Sequence, residues 1–400
     1  MNDRLVVWMS AASHDGIRGT DWHLVTALAH HTPILWVDPP VSPLTQLRKG
    51  KRGMPPWRPR LIIGDGGMPR VMPVALPGLT RAGVRRSTAP LLRAQVRWAL
   101  RRLGVRPKAV VTTHLEDVLG RWGNDTVDVL YGTDDYVAGA ELMRLSARHL
   151  QAQERAALER ADVVFAISPL LAERWSQLGA NPIVLPNGCD PATFRSVNAV
   201  GGLPGVALPQ PVIGTMGHLS DRIDIGLLEA VSDAGFSLLL IGPRDSRWEP
   251  ERFAALTARS TVHYTGLVRP EELPSYLSVI DVGLTPYINS GFNRASFPLK
   301  TLEFLAAGRP VVATNLPATQ WLLDRGGVGV LFPVESASHV ISAVRDAVRA
   351  GNRPNASAHC RAFAERHSWQ RRAEEFARVL GLTVPQASSP IRSPSPVRTP

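Results

Sequence analysis

The sequence predicts an α/β protein made of two doubly wound domains, and three observations carry that expectation. Across most of the 400 residues, short apolar runs bounded by turn residues alternate with segments of helical period, the pattern of parallel strands covered by helices. The alternation pauses after Pro186-Asn187-Gly188, in a weakly patterned stretch at 198–210 that holds Gly201, Gly202, Pro204, Gly205 and Pro209, and then restarts. A single core usually stops growing near ~250 to 300 residues. With 44% apolar and 20% charged residues, this chain has enough apolar material for two.

In the first half the expected strands are Leu5 to Met9, Ile34 to Val37, Ala109 to Val111, Val127 to Tyr131, Val163 to Ile167 and Ile183 to Leu185. Helical periodicity falls at 20–31, 88–104, 138–160 and 169–178, with Thr20 placed to cap the first of these. The second half repeats the scheme with strands at Val212 to Met216, Ser237 to Ile241, Val262 to Tyr264, Val282 to Thr285, Pro310 to Ala313 and Gly329 to Phe332. Its helices are expected at 225–234, 271–279, 298–307 and 335–350, followed by a helical tail over 354–381. The Pro/Ser-rich end lacks an apolar pattern and is expected to be disordered. The expected organisation is therefore a first domain over 1–197, a linker at 198–210, a second domain over 211–367, a terminal helix over 368–382 and a tail over 383–400. In such sheets ligands bind beyond the carboxyl ends of the strands, so the chemistry is sought there.

Composition narrows the function classes. Cys189 and Cys360 are the only cysteines, too few for a disulfide framework or a cysteine-rich zinc site. No apolar run approaches the ~18 to 20 residues of a spanning helix, and Met1-Asn2-Asp3-Arg4-Leu5 lacks the layout of a secretory signal. The expected location is the cytoplasm, or the inner face of a membrane as a peripheral protein. The net charge of +11 is concentrated, since between Asp38 and Glu116 sixteen Lys and Arg residues face one acid, Asp65. Arg93, Arg97 and Arg101 recur at helical spacing with Arg86 seven residues before them, beside an apolar face of Leu92, Val96, Ala99 and Leu103. An anionic membrane surface docking on 48–108 is one reading, helped by Trp57 in the Arg-rich loop. The other is a solvated, Arg-biased surface, as 41 Arg against 4 Lys suggests. Nucleic acid is not an expected partner, because no binding motif or aromatic interleaving accompanies the charge.

The most informative segment runs from Ser296 to Thr314, Ser-Phe-Pro-Leu-Lys-Thr-Leu-Glu-Phe-Leu-Ala-Ala-Gly-Arg-Pro-Val-Val-Ala-Thr. Pro298 suits a helix start, and Gly308 followed by Pro310 suits its end. Lys300 and Glu303 share a face, so one suits a diphosphate and the other ribose hydroxyls beside free helix-terminal amides. An i,i+3 ion pair on a solvated face is the plainer alternative.

This segment resembles the nucleotide-sugar-binding helix of GT-B glycosyltransferases, particularly the large retaining group called family 4. Pro186-Asn187-Gly188-Cys189-Asp190, Ala161-Asp162-Val163-Val164-Phe165-Ala166-Ile167-Ser168 and Tyr264-Thr265-Gly266-Leu267-Val268 match further family segments in the same order. The likeness covers roughly residues 5–380 and is weakest at 39–107. It implies a GT-B fold of two Rossmann-like domains, with a terminal helix near Ser368-Trp369 that returns to the first domain. The implied activity is transfer of a sugar from a nucleoside diphosphate sugar to a hydroxyl of a saccharide or lipid-linked saccharide, in envelope or exopolysaccharide assembly. The nucleotide-sugar is then a substrate, and neither a cofactor nor a metal is expected. A nucleotide-sugar epimerase of the same fold and a non-catalytic nucleotide-sugar or membrane-binding scaffold are the rival readings.

The resemblance assigns the donor to Gly217, His218, Arg222, Ser296, Lys300 and Glu303. Family members commonly carry another Glu eight positions before the one matched by Glu303; here that place is Ala295, beside Asn293 and Arg294. They also commonly carry an Arg and a Lys after the first strand of the second domain, where this chain has Arg222 and no Lys, leaving Lys300 for that work. On the acceptor side, Ser13-His14-Asp15-Gly16-Ile17-Arg18-Gly19 forms the first strand-to-helix loop. Gly16 and Gly19 allow close approach of a ligand or simply make a tight turn, and His14 and Asp15 orient a sugar hydroxyl or sit solvated. His114 stands where related enzymes often place a sugar-contacting histidine, or is structural. Asp135 is the preferred general base if the reaction inverts, with Asp134 its rival; the alternative is an N-cap for a helix entering at 138.

Overall fold

The computed structural model describes residues 4–16, 18–44, 57–63, 68–78, 82–143, 145–197 and 208–382. Most of the expected linker and the whole expected tail lie outside the described residues. The chain divides into two compact units. The first comprises the described parts of Met1–Ile167 and Ala172–Leu185 and the chain from Ala373 onward, and the second Ser168–Leu171 and Pro186–Arg372.

The first unit contains β1 (Arg4–Met9), α1 (Thr20–Leu28), β2 (Ile34–Val37), β3 (Arg60–Ile62), β4 (Arg70–Met72), α2 (Ala82–Leu103), β5 (Arg106–Thr112), β6 (Val127–Gly132), α3 (Ala147–Arg160) and β7 (Val163–Ala166). The helix α4 (Pro169–Gln177) begins in the second unit and leads to β8 (Ile183–Val184). The sheet order is β3-β4-β2-β1-β5-β6-β7-β8, parallel except for the β3/β4 pair. Its central strands are almost wholly buried, which is why they read as continuous apolar runs instead of alternating ones.

Three expectations here are corrected. The strands β3 and β4 went unread because each is three residues long and carries an Arg in place of an apolar run. The second helix starts at Ala82, six residues early, and holds Pro90 within it. The helix expected from 138 starts at Ala147, where Ser146 caps it by accepting from the His149 amide.

The second unit contains β9 (Val212–Met216), α5 (Ile225–Asp233), β10 (Ser237–Ile241), α6 (Pro250–Thr257), β11 (Val262–Tyr264), α7 (Leu273–Ser278), β12 (Val282–Thr285), α8 (Gly291–Ala295), α9 (Leu299–Ala306), β13 (Val311–Thr314), α10 (Pro317–Leu322), β14 (Leu331–Val334), α11 (Ala337–Gly351), α12 (Ala356–Glu365) and α13 (Trp369–Val379). All its strands are parallel, in the order β11-β10-β9-β12-β13-β14. The short α6, α8 and α10 were not expected, having too few turns to show a period. The final strand starts at Leu331 and not Gly329, whose φ of 87° is not a strand conformation. The expected helical tail is two helices separated at Arg366–Ser368.

The first unit ends earlier than 197. Asn187 donates to the Phe297 carbonyl at 2.8 Å, the Cys189 amide to His367 at 3.0 Å and the Trp369 amide to Cys189 at 2.9 Å, which binds this stretch into the second unit. The C-terminal part of α13 belongs to the first unit. There Phe376 stacks on Phe165 at 4.7 Å between ring centroids and tilts against Trp8 at 5.6 Å, with all three rings fully buried.

Phe376→Ala is expected to destabilise the protein by about 3 to 5 kcal/mol, the usual cost of removing a buried aromatic ring. A urea unfolding curve with an unmoved first transition would show that α13 carries no weight in the first core.

Candidate functional site

Each sheet has one pair of central neighbours whose chains depart in opposite directions, β1/β5 in the first unit and β9/β12 in the second. At such a switch point the covering helices diverge and leave a notch beyond the strand ends. Most of the candidate residues lie at these two notches.

In the second unit the notch is bordered by Gly217 after β9 and by Pro286 and Tyr287 after β12. Gly217 has φ 127°, and a Cβ built on it would lie 3.7 Å from Lys300 Cε, so the lysine stem lies over that backbone. The neighbouring Gly242, with φ 123°, packs so tightly that a Cβ would sit 2.0 Å from the Gly217 carbonyl oxygen. No side chain fits there, and the strand ends stay open.

Lys300 Nζ donates to Glu303 Oε2 at 2.7 Å within α9. The pair is not on a solvated face, as the side chains are 29% and 11% exposed. Burial works against the Lys300 charge, but the Glu303 carboxylate outweighs it and raises the lysine above its ordinary value. The Arg222 guanidinium lies over the rings of Tyr287 and Phe292, at 5.4 and 4.8 Å from their centroids, and Tyr287 also feels the charges of Lys300 and Glu303. Its Nε donates to Asn293 Oδ1 at 2.8 Å. Burial pushes the Tyr287 phenol up despite the opposing pull of Arg222 and Lys300. The expected helix-start amides are those of α9, which has no side-chain cap. His218 is exposed beside Gly217, whereas the Ser296 hydroxyl is buried and donates to the Phe292 carbonyl at 2.9 Å, closing α8. Ala295, in place of the family's other Glu, is buried.

In the first unit, His14, Asp15 and Gly16 follow β1 and His114 follows β5. The residue that organises this loop is Asp38, at the end of β2. Its Oδ1 accepts from the His14 amide at 2.8 Å and from Trp36 Nε1 at 3.0 Å, and its Oδ2 from Arg70 Nε at 2.6 Å. Arg70 Nη1 also reaches Asp15 Oδ1 at 2.7 Å, holding that exposed carboxylate below its usual range. Gly16 closes a turn, its amide donating to the Ser13 carbonyl at 2.9 Å, and Gly19 precedes α1 without a side-chain cap. Under the loop, Asp21 is buried and accepts from Ser10 Oγ and, at 2.7 Å, from Thr113 Oγ1. Burial raises its pKa in spite of those bonds.

Burial lowers the His114 pKa to about 4, so the imidazole is neutral at physiological pH. Its Nδ1 accepts from the Glu116 amide at 3.3 Å, which leaves the proton on Nε2 and makes that edge a donor. A cavity of about 500 Å³, lined by Arg86, Leu115, Glu116, His149 and Arg160 among others, lies beside the same loop.

Asp135 lies at the start of a turn and not of a helix, since no helix enters at 138. Its Oδ1 accepts from the Ala138 amide at 2.9 Å, and Arg174 engages both oxygens at 3.0 Å. The carboxylate is 4% exposed and both of its oxygens are engaged. Arg174 is shared with the buried Glu154 at 2.6 Å. Asp134 is half-buried and close enough to Tyr136 to add its charge to the burial that pushes the phenol up.

The arginine stripe on α2 is also corrected. Arg93 Nη1 donates to the Asp117 carbonyl and lies 3.7 Å from its carboxylate, and Arg97 donates to the Arg121 carbonyl and lies over Trp122. These two cations fasten α2 to the segment after β5, while Leu92, Val96 and Ala99 form the expected buried face.

Sequence reading missed Asp38, Arg70, Asp21, Arg174 and Tyr287. Asp38 had a visible signal, a carboxylate at a strand end, the same logic that singled out Asp134 and Asp135. The partners of the others come from distant segments and left none.

Residues 210–349 match the family model described as glycosyl transferases group 1. Over 110 residues the chain is 40% identical to the putative teichuronic acid biosynthesis glycosyltransferase TuaH of Bacillus subtilis, covering 27% of this chain and 28% of that one. Over 221 residues it is 27% identical to the phosphatidyl-myo-inositol mannosyltransferase of Mycolicibacterium smegmatis, covering 52% and 54%. The matches thus span at most about half the length of these relatives. Among solved structures, sucrose-phosphate synthase of Thermosynechococcus elongatus superposes with TM-score 0.68 at 18% identity over 94% of this chain and 98% of that one. Anabaena HepE in complex with UDP and glucose gives 0.66 at 17% over 94% and 100%. These likenesses show the fold, which is GT-B.

Because the folded His114 pKa lies below that of an unperturbed histidine, near ~6.5, the stability its neutral form contributes is complete above pH ~6.5 and is lost as pH falls toward 4. In an NMR titration its ring signals are expected to move only near pH 4, and His114→Gln should lose less stability than the parent over that window. A midpoint above pH 6 would overturn the neutral state of the ring and the stability it contributes between about pH 4 and 6.5.

Proposed function

We propose that this chain is a glycosyltransferase that moves a sugar from a nucleoside diphosphate donor to a hydroxyl of a saccharide or lipid-linked saccharide during envelope polysaccharide assembly. The observation that carries the reading is the gathering of Arg222, Lys300 and Glu303 about Tyr287 after β12, with the Lys300 stem over the open backbone at Gly217 after β9, at the switch point of the second sheet. Two cations and unpaired helix-start amides suit a diphosphate, and a carboxylate suits vicinal ribose hydroxyls. The match of residues 210–349 to group 1 glycosyltransferases supports it independently.

In the transfer, the bond from the anomeric carbon to the diphosphate oxygen breaks, the bond to the acceptor oxygen forms, and the proton of the acceptor hydroxyl passes to the departing diphosphate. The nucleotide-sugar is a substrate, and Arg222 with Lys300 neutralises charge growing on the departing diphosphate. Lys300 turns part of its donor capacity from Glu303 to phosphate, which frees Glu303 for ribose. On the acceptor side, His114 Nε2–H donates to a sugar oxygen, and the ionised Asp15, fixed by Arg70, accepts from a hydroxyl. The relatives' names, a teichuronic acid biosynthesis glycosyltransferase and a phosphatidyl-myo-inositol mannosyltransferase, favour an envelope acceptor. The solved complex of HepE with UDP favours a nucleotide-linked donor.

Peripheral attachment to the inner face of the cell membrane through 48–108 belongs to the same proposal. With Arg93 and Arg97 bonded to backbone carbonyls after β5, it rests on the exposed Trp57, Ile62, Ile63 and Leu76 and on the remaining basic residues of that region. No helix among the described residues is long and apolar enough to cross a membrane.

A thermal-shift panel of UDP-, GDP- and dTDP-sugars is expected to show one class raising the melting temperature, by roughly 2.7 kcal/mol of added stability at a hundredfold excess over Kd. Glu303→Ala should weaken that ligand, and an unchanged titration would remove the ribose assignment. Co-sedimentation should favour vesicles with anionic lipid over neutral ones, and equal recovery would dispose of the membrane surface.

A further inference from the structure

Among the cations of the donor notch, Lys300 is already neutralised, since its ammonium is bonded to Glu303 within the same helix. Arg222 is held differently. Its Nε goes to an amide oxygen, that of Asn293, and its two Nη nitrogens have no hydrogen-bond or ion-pair partner among the described residues. A carboxylate in the place of Asn293 would spend the guanidinium charge inside the protein, whereas a neutral amide fixes the group and leaves the charge available.

Asn293 is built for that task. It is 2% exposed, and each polar atom of its amide is used. The oxygen takes Arg222 Nε, while Nδ2 donates at 3.0 Å to the carbonyls of Arg222 and Ile288. One side chain thus grips the arginine at both its backbone and its guanidinium. The Ile288 amide donates to the same Arg222 carbonyl at 3.0 Å, and Ile223 bridges to Tyr287, so the loops after β9 and β12 are tied together at this residue. The rings of Tyr287 and Phe292 restrict the guanidinium further, and Ser290 caps α8 by accepting from the Asn293 amide at 3.2 Å.

We infer that Asn293 is a positioning residue that presents Arg222, with its charge unspent, as the principal anion-receiving group for the donor diphosphate. This rests on the donor reading above and assigns within it the leading cation and the residue that aims it. The short helix where relatives place another Glu serves here to hold an arginine.

The test measures binding of UDP, GDP and inorganic pyrophosphate to the full chain by calorimetry at two salt concentrations, for the parent, Arg222→Gln, Asn293→Ala and the double variant. Loss of one charge-assisted contact corresponds to about a tenfold to hundredfold weakening. Arg222→Gln is expected to weaken the bound diphosphate by that factor and to flatten its salt dependence, and Asn293→Ala to do the same in smaller measure. In the Arg222→Gln background, Asn293→Ala should have no further effect, because its influence passes through the arginine. A full additional loss there, or no loss in Asn293→Ala alone, overturns the inference while leaving the donor site standing. No binding by the parent overturns the donor reading itself, whereas an unaffected Arg222→Gln with the parent still binding overturns the inference, because the arginine is then not the leading cation. A drop in melting temperature without the salt signature would mark Asn293 as merely structural.

Discussion

Two neighbouring parallel strands whose connections leave to opposite sides of a sheet cannot both be covered at their carboxyl ends, and in this protein both sheets have that arrangement at their centre. The notch is a consequence of chain direction alone, before any side chain is considered. In the second unit it is kept open by backbone: Gly217 and Gly242, both at positive φ, pack against one another where no Cβ fits.

The two notches are furnished in opposite electrostatic styles. The first is organised by carboxylates. Asp38 collects a backbone amide, an indole and a guanidinium, while Asp21 lies buried below and collects two hydroxyls from the ends of β1 and β5. Such groups fix a loop that offers neutral or mildly polar contacts, as the donor edge of His114 does. The second notch is organised around cations, with one lysine paired in place and one arginine held by an amide and two rings. Hydroxyl-rich ligands suit the former and phosphates the latter.

Buried charge elsewhere serves architecture. Arg174 joins Asp135 to Glu154, and removing one member of such a group leaves an uncompensated charge at a cost of about 3 to 5 kcal/mol. Arg93, largely covered, and the exposed Arg97 fasten α2 to the chain after β5. The abundance of arginine in this sequence is therefore partly internal, because a guanidinium can satisfy a carbonyl and a carboxylate at once while its stem packs on apolar neighbours.

By itself the sequence determined the elements whose residues carry their own pattern. The strands at Ile34–Val37, Val212–Met216, Ser237–Ile241, Val262–Tyr264 and Val282–Thr285 have the bounds their apolar runs imply, and α9 follows from Pro298, the Lys300/Glu303 spacing and Gly308. These are local properties, since a buried parallel strand must be apolar throughout and a helix must start and stop on residues that tolerate its ends. Tertiary structure alone decided what each polar side chain does. What engages the Asp135 carboxylate is Arg174, 39 residues away, and whether Arg222 is spent or available depends on Asn293, 71 residues away. A hydrogen bond is satisfied by whichever partner the fold delivers to within about 3 Å, and no periodicity along the chain records which one that is.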